Sequence, residues 1–494
     1  MKLSEIIKGI TPKTAVALNP DVADICFDSR KVTKGSCFVA QVGTKVDGHK
    51  FIDGAVADGA AAIVCQELPQ TLHEGVAYVQ VDNSDIALGV MADNFYGHPS
   101  SQLKLIGITG TNGKTTTVTL LHRMFRACGY HVGLLSTIVN KIDETEIPAT
   151  HTTPDAITLN KLLRQMADEG CQYAFMEVSS HAAYQHRTGG LTFAGGIFSN
   201  ITHDHLDFHK TMANYIAAKK MFFDSLPANA FALVNIDDRN GMVMVQNTRA
   251  KVSTYSLEKM ADFRCRVMET SFAGQQLELD GKEVWTKLVG RFNAYNITAI
   301  YAAAVLSGME RSEAMRIIST LDAAEGRFQY VAGKGITAIV DYAHTPDALE
   351  NVLTTINAIR RPGQSLYTVA GCGGDRDTSK RPEMAQIACK LSDRLVLTSD
   401  NPRTEDPERI LDDMEKGLTD EDKCRVVRIT DRRQAIKTAV MMAKEGDIIL
   451  VAGKGHEKYQ DIMGVKHHFD DREELCKLLG VESDREATDN NETR

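Results

Sequence analysis

The chain has 494 residues, 43% of them hydrophobic and 24% charged, with 56 basic against 65 acidic side chains for a net charge of −9. No basic excess invites nucleic acid or an anionic membrane, and no apolar run approaches the roughly 20 residues that a bilayer span needs. At about 150 residues per domain the length suggests about three domains. The ten cysteines are scattered, without a CxxC pair or a Cys/His zinc spacing, which predicts reduced, mostly buried thiols in a cytoplasmic protein.

The opening MKLSEIIKGI reads as a short amphipathic helix rather than a signal peptide. Residues 1–100 form a first unit of short strands and helices. Within it Asp28, Ser29 and Arg30 fall where a strand ends, a position suited to a polar ligand or equally to a capped turn with a solvated arginine. YGHPSSQ, at 96–102, gathers Gly, Pro and Ser and predicts a linker.

The next stretch, LIGITGTNGKTTTV at 105–118, turns from an apolar strand into glycines and ends on Lys114, Thr115 and Thr116 at a helix start. Gly110 and Gly113 allow a tight turn whose successive N–H groups converge on an anion at the positive end of the helix. Lys114 then reaches the terminal phosphates of a nucleotide, and the hydroxyl of Thr115 or Thr116 can ligate Mg²⁺. The general pattern has a further glycine before Gly113, at the position where this chain has Ile108. A bland Gly-rich turn accounts for the glycines but not for Lys-Thr-Thr directly behind them.

Strand and helix then alternate through VGLLST, the HTTPD segment at 151–155 and YAFMEVSSH at 173–181. This predicts a parallel, doubly wound sheet with ligands at the carboxyl ends of its strands. Glu177 lies at such an end and is a natural Mg²⁺ ligand. GGIFSNITHDHLDFH closes on His203, Asp204, His205, Asp207 and His209. With no cysteine among them, these read as flanking a nucleotide metal rather than binding zinc. In NYIAAKKMFFDSL, solvation is the default for both Lys219 and Lys220. GRFNAYNITAIYAAAVLSG opens a helix with Asn293 and Asn296 near its start, suited to capping or to the edge of a nucleotide. A boundary follows at 325–331. Beyond it ITAIVDYAHTPDALENVL, LYTVAGCGGDRD, RLVLTSDNPR and DIILVAGKGHE each run from a buried strand into a polar loop, the mark of a second parallel α/β domain. From Ser483 the chain is polar and expected to fray.

GTNGKTTT, EVSSHAAYQHR, THDHLDFH, AAKKMFF, GRFNAYNITA, EGRFQ, DYAHTPDALE, GCGGDRDTSKRPEM, SDNPRTEDP and VAGKGHEKYQ together resemble, in order and spacing, the ATP-dependent Mur ligases of bacterial cell-wall synthesis. The resemblance covers essentially the whole chain except the tail and is closest to the members that add the third peptide residue. The family's Gly-Thr-Asn-Gly-Lys-Thr loop accounts for the missing first glycine. The resemblance implies an α/β, three-domain architecture: a UDP-binding domain over 1–100, a central ATP-binding domain built on a parallel sheet over 101–328, a Rossmann-like amino-acid-binding domain over 329–482, and a disordered tail over 483–494. A monomer is expected, with small molecules as its only partners.

The implied reaction joins an amino acid to a UDP-muramoyl dipeptide as ATP is hydrolysed to ADP and phosphate. The substrate carboxylate attacks the γ-phosphate, anion on anion, so Lys114 and Mg²⁺ must neutralise the developing charge, and the acyl phosphate formed is then attacked by a free amine. By resemblance, Gly110, Thr111, Asn112, Gly113, Lys114, Thr115, Thr116, Asn293 and Asp341 bind ATP. Ser29, Thr44, Lys45 and Val46 contact the UDP part, and Thr152, Thr153, Ser179, Gln185 and Arg187 hold the muramoyl peptide; His151 is given no role. Lys219 aligns with a lysine that such ligases carry as a carbamate, an oxygen anion able to serve Mg²⁺ beside Thr115, Glu177 and His205. This reverses the default for Lys219 but not for Lys220. The loop of Asp400, Asn401, Pro402 and Arg403, with Arg376, Gly453 and Glu457, resembles the one that reads the distal end of meso-diaminopimelate, where a guanidinium suits the second carboxylate. The alternatives are an L-lysine-adding or folylpolyglutamate-type ligase and, from another class, a slow nucleotide switch.

Overall fold

A computed structural model describes residues 1–14, 17–43, 46–149 and 151–482. Thr44 and Lys45, two of the expected UDP contacts, and the tail 483–494 lie outside the described residues. The chain divides into two compact units. One comprises Met1–Gly110, Leu121–Phe198 and Ile216–Thr254, the other Thr111–Leu120, Ser199–Tyr215 and the chain from Tyr255.

The first unit opens with a four-stranded parallel sheet in the order β1 (Asp24–Cys26), β2 (Ser36–Val39), β3 (Ala62–Cys65), β4 (Ala77–Gln80). Strands β2 and β3 are buried at every position, as expected where both faces of a parallel sheet are covered. Val39, Val64 and Val79 face one core with Leu88 and Met91, while Phe38 and Ile63 face the other with Ile52 and Ala55. A second sheet contains β5 (Lys104–Thr109), β6 (Val132–Leu135), β7 (Val139–Ile142), β8 (Thr145–Pro148), β9 (Tyr173–Glu177), β10 (Gly195–Phe198) and β11 (Phe231–Asn235). Within this unit its order is β11-β10-β5-β9-β6-β7-β8, parallel from β11 to β6 and antiparallel beyond. The connection leaving β5 runs to one side of it and the chain then returns to its other side at β10. The carboxyl ends of β5 and β9 thus flank a topological switch point, the usual ligand position in such sheets. At Gly107, a Cβ would sit 2.7 Å from the Phe222 ring, so glycine lets the helix Met212–Asp224 press Phe222 onto β5.

Residues 96–102, read from composition as a linker, are packed in part. Pro99 and Ser100 are buried in a 3-10 turn, His98 Nδ1 lies 2.6 Å from Asp93 Oδ2, and Ser100 Oγ accepts the Thr192 N–H at 2.9 Å. Gly, Pro and Ser mark a backbone conformation there, and the partners that bury it come from far along the chain.

In the second unit, Tyr255 and Ser256 at the end of β12 (Lys251–Ser256) pair with β13 (Phe263–Ser271), which continues antiparallel into β14 (Gly274–Leu279) and β15 (Lys282–Thr286). A six-stranded sheet follows, built from β16 (Gln329–Gly333), β17 (Ile336–Asp341), β18 (Leu366–Ala370), β19 (Arg394–Leu397), β20 (Val426–Arg428) and β21 (Ile448–Ala452) in the order β16-β17-β21-β18-β19-β20. Only β16 is antiparallel. Helices Pro346–Ile359, Lys380–Leu391 and Pro407–Glu415 cover one face through Leu353, Met384 and Leu411. Arg432–Met442 and Asp471–Leu479 cover the other through Ile436 and Leu475. A hairpin, β22 (Tyr459–Ile462) and β23 (Val465–His468), lies beyond β21. Among the described residues, no helix is long and apolar enough to cross a membrane.

Candidate functional site

Strand β5 delivers the phosphate loop, and Lys114 opens the helix Lys114–Ala127. Gly113 has φ 86°, and a Cβ there would collide with Asn296 Oδ1, so both the turn and the close approach require glycine. Residues far along the chain brace the loop. Thr111 N–H donates to Asn200 O at 2.8 Å, Asn112 N–H to Asn200 Oδ1 at 2.9 Å, and Asn112 Nδ2 to Asp347 Oδ2 at 2.6 Å. Thr111 Oγ1 accepts Thr202 N–H at 3.0 Å and lies 3.1 Å from the Tyr215 hydroxyl. Lys114, half-buried, donates Nζ to Thr111 O at 2.9 Å, and Arg327 Nη2 donates to the buried Thr115 Oγ1 at 3.3 Å. Thr116 is buried beside them in the first turn. The N-terminus of this helix, its dipole and two cationic side chains suit a bound anion.

Asn293 does not cap its helix. Its Nδ2 donates back to Val289 O at 2.9 Å, and its Oδ1 accepts from Asn296 Nδ2 at 3.1 Å. Asp341 ends β17 buried and accepts the Phe328 N–H at 2.7 Å; burial lifts its carboxyl to about 6 against the pull of Arg327. The Arg327 guanidinium stacks 4.6 Å from the Tyr342 ring centroid.

His203, Asp204, His205, Asp207 and His209, read from the sequence as flanking a nucleotide metal, have several different partners. His203 pairs with Asp377 and His205 with Asp204, each at 3.4 Å, while His209 is buried with its ring 5.3 Å from that of Tyr215. His205 itself adopts φ 55° as it enters the short helix Leu206–His209, with its ring 6.3 Å from that of Tyr215. Burial raises the Asp204 carboxyl, but His205, His344, Lys380 and Lys114 outweigh burial and hold it at about 2. Among the described residues, no three His, Cys, Asp or Glu side chains gather into a metal-binding group.

In the first unit, Glu177 is buried at the end of β9, with Oε1 accepting the Thr137 N–H at 2.8 Å. Thr137 Oγ1 donates to Thr152 Oγ1 at 3.0 Å, and Thr153 Oγ1 donates to Glu177 O at 2.7 Å. Ser179 N–H donates to Thr153 Oγ1 at 3.1 Å. Arg187 donates Nη1 to Thr153 O at 2.7 Å and Nε to Gln185 Oε1 at 2.9 Å. The five residues expected to hold the muramoyl peptide therefore form one network with Glu177. Ser29 begins a 3-10 turn whose Asp28 takes both prongs of the exposed Arg30, and Val46 is exposed. Lys219 is only 1% exposed and donates Nζ to Gly110 O at 2.7 Å, so the solvated default fails for it. Lys220 pairs with Asp224 at 2.6 Å.

The loops after β18, β19 and β21 meet in the second unit. Gly374 N–H donates to Asn401 O at 2.9 Å, and a Cβ on Gly374 would strike Pro402 O, so the glycine pair lets the two loops touch. Arg403, half-buried at φ 51°, donates Nη1 to Gly374 O at 2.7 Å. Gly373 stands between Arg403 and the exposed Arg376: a Cβ there would lie 2.8 Å from Arg403 Nη1 and 3.8 Å from Arg376 Cγ. Asn401 joins the third loop, donating Nδ2 to Glu457 Oε2 at 2.7 Å and accepting from the fully buried Lys454 Nζ at 2.9 Å. Burial and then the nearby Asp400 push the Glu457 carboxyl up, opposed by Lys454. Gly453, at φ 115°, leaves room for Asp400 Oδ2.

Family models match 21–96 as "Mur ligase family, catalytic domain", 108–304 as "Mur ligase middle domain" and 326–455 as "Mur ligase, glutamate ligase domain". A Phocaeicola vulgatus protein named UDP-N-acetylmuramoyl-L-alanyl-D-glutamate--2,6-diaminopimelate ligase is 55% identical over 98% of this chain and 100% of its own. The chain belongs to the Mur ligase family. A Cytophaga hutchinsonii protein of the same name is 57% identical, with 93% of this chain and 96% of the relative aligned. A solved structure titled with that name is 34% identical, covers 97% of this chain and 99% of its own, and superposes with a TM-score of 0.69. A Mycobacterium tuberculosis folylpolyglutamate synthase complexed with ADP shares the fold at 17% identity and TM-score 0.62, over 74% of this chain and 91% of its own. This Mur ligase thus has the mixed α/β fold, with parallel sheets, of the three-domain ligases.

Several residues of these networks were not expected from the sequence. Arg327, Asp347 and Lys454 fall inside EGRFQ, DYAHTPDALE and VAGKGHEKYQ, so those motifs were the available signal. Asn200 and Tyr215 were not singled out, and neither was Lys380, which lies inside GCGGDRDTSKRPEM and donates to His344 O at 2.8 Å.

Proposed function

We propose that this Mur ligase adds meso-2,6-diaminopimelate to UDP-N-acetylmuramoyl-L-alanyl-D-glutamate at the expense of ATP, in cytoplasmic synthesis of peptidoglycan precursors. The observation that carries this reading is the near-full-length likeness, at 53–57% identity, to proteins bearing that name. Residues 1–100, 101–328 and 329–482 serve in this reading as UDP-binding, ATP-binding and amino-acid-binding segments of a monomer.

The phosphate loop from Gly110 to Thr116 takes the triphosphate, and Asn293 and Asp341 take the rest of the nucleotide. Lys114 neutralises charge on the γ-phosphate as the glutamate carboxylate attacks it. Thr152, Thr153, Ser179, Gln185 and Arg187 orient the muramoyl dipeptide, whose UDP end is met by Ser29 and Val46. The incoming amine attacks the acyl phosphate and phosphate leaves. Arg403, aided by Arg376, grips the distal carboxylate of diaminopimelate, while Glu457 and Asp400 supply negative charge for its ammonium groups.

Thr115, Glu177 and His205 are the side chains that would serve Mg²⁺ in this reading, by chemistry alone: they are chiefly oxygen donors, which this ion prefers. A nucleotide-bound Mg²⁺ keeps phosphate and water oxygens as most of its ligands, so few protein groups need gather. When bound, it would neutralise phosphate charge. Lys219 as a carbamate would add an oxygen anion and still keep one N–H for Gly110 O. The test is phosphate release: it should require the UDP-muramoyl dipeptide and diaminopimelate together. Release at the same rate from ATP alone would favour a nucleotide switch instead.

A further inference from the structure

Behind the two loops that carry Asp400 and Gly453 lies an ion pair that the reaction leaves unused. Arg432 opens the helix Arg432–Met442 and Asp471 opens the helix Asp471–Leu479, and both side chains are fully buried. The guanidinium meets the carboxylate in two parallel bonds, Nε to Oδ1 and Nη2 to Oδ2, each 2.7 Å. Its other donations go to the backbone, Nη2 to Ala452 O at 3.0 Å and Nη1 to Ser399 O at 3.5 Å. Those two residues immediately precede Gly453 and Asp400. Strand β18 separates β21 from β19, so one planar fork reaches across it to hold the exits of both outer strands. Its charge also stands close enough to Asp400 and Glu457 to interact with each.

Stability alone is a weak reason for such a pair. Taking two charges out of water costs several kcal/mol per ion, and an apolar pair of similar volume is often neutral or better. An apolar pair could not, however, hold two carbonyls at a set separation. We propose that Arg432, anchored by Asp471, is a positioning residue that registers the 400–403 loop against the 453–457 loop and so sets affinity for diaminopimelate without touching it. This rests on the reading of those loops as the diaminopimelate site.

Arg432→Met alone would strand Asp471 as a buried charge, so the informative protein is Arg432→Met/Asp471→Leu, which removes both charges. KM is measured for meso-diaminopimelate, ATP and the UDP-muramoyl dipeptide, with the thermal midpoint beside it. The KM for diaminopimelate should rise about tenfold or more, with the other two within about twofold and the midpoint preserved. An unchanged diaminopimelate KM in the folded variant overturns the proposal, as does a uniform rise in all three or a fall in kcat alone. Should the double variant not fold, Arg432→Lys, which keeps the charge but loses the fork, is judged by the same selective rise. A wild-type enzyme that does not use diaminopimelate refutes the reading of the site itself, and that result precedes any variant.

Discussion

Lys219 reaches Gly110 O with its Nζ at 2.7 Å from a position only 1% exposed, so its terminal nitrogen is fixed beside the start of the phosphate loop. Carbamylation would exchange an ammonium for an anion there while one N–H remained for the carbonyl. Lys219→Ala should lose about 10²-fold or more in kcat. Lys219→Glu should recover part of that loss by restoring a carboxylate. Intact-protein mass after gentle handling, and ¹³C NMR with labelled bicarbonate, would detect the adduct. Full activity under rigorous CO₂ exclusion with no adduct would retire the idea.

Lys114→Ala should fold normally and lose about 10²-fold or more in turnover, because a half-buried loop lysine contributes to the transition state and little to the core. Circular dichroism and steady-state rates measure the two separately. Near-normal amide synthesis by the folded variant would contradict the phosphate-loop assignment.

Asp341 predicts a pH dependence. Its folded carboxyl sits at about 6, above the ordinary 3.8, so between those values the folded chain holds a proton that the unfolded chain has released. Stability from this group is therefore complete below pH 4 and declines as pH rises to about 6, by an amount on the order of 3 kcal/mol. Asp341→Asn cannot ionise and should flatten that slope. Thermal midpoints of both proteins from pH 4 to 7 give the comparison; parallel curves would refute the burial argument.

Arg403 is half-buried, so its loss should fall at the lower end of the range for breaking a charge pair. At about 2 kcal/mol, Arg403→Ala weakens use of diaminopimelate about 30-fold. The preference over L-lysine should narrow without lysine becoming a good substrate, since nothing new holds its ammonium. Competition kinetics with both amino acids provide the readout.

Local features were legible in the sequence. Lys114, Thr115 and Thr116 follow their glycines directly, and an apolar run such as YAFME names a buried strand whose end must carry Glu177. What stayed hidden depends on distant partners: Asn200 and Asp347 bracing Asn112, or Arg432 meeting Asp471 across two helix starts. Composition did not show that Pro99 and Ser100 are buried, nor that His203 and His205 pair with different carboxylates. Spacing along a chain reports side-chain direction only within a regular helix or strand, and each stretch holds no more than one short helical turn.

The central claim is the identity of the product. ATP, UDP-N-acetylmuramoyl-L-alanyl-D-glutamate and equal concentrations of meso-diaminopimelate and L-lysine are mixed with the enzyme, and the nucleotide product is weighed by mass spectrometry. The predicted product carries diaminopimelate, with lysine incorporated about 10⁴-fold less, as expected where a site loses a required polar partner. Comparable lysine incorporation, or ATP turnover with no amide product, would contradict the account.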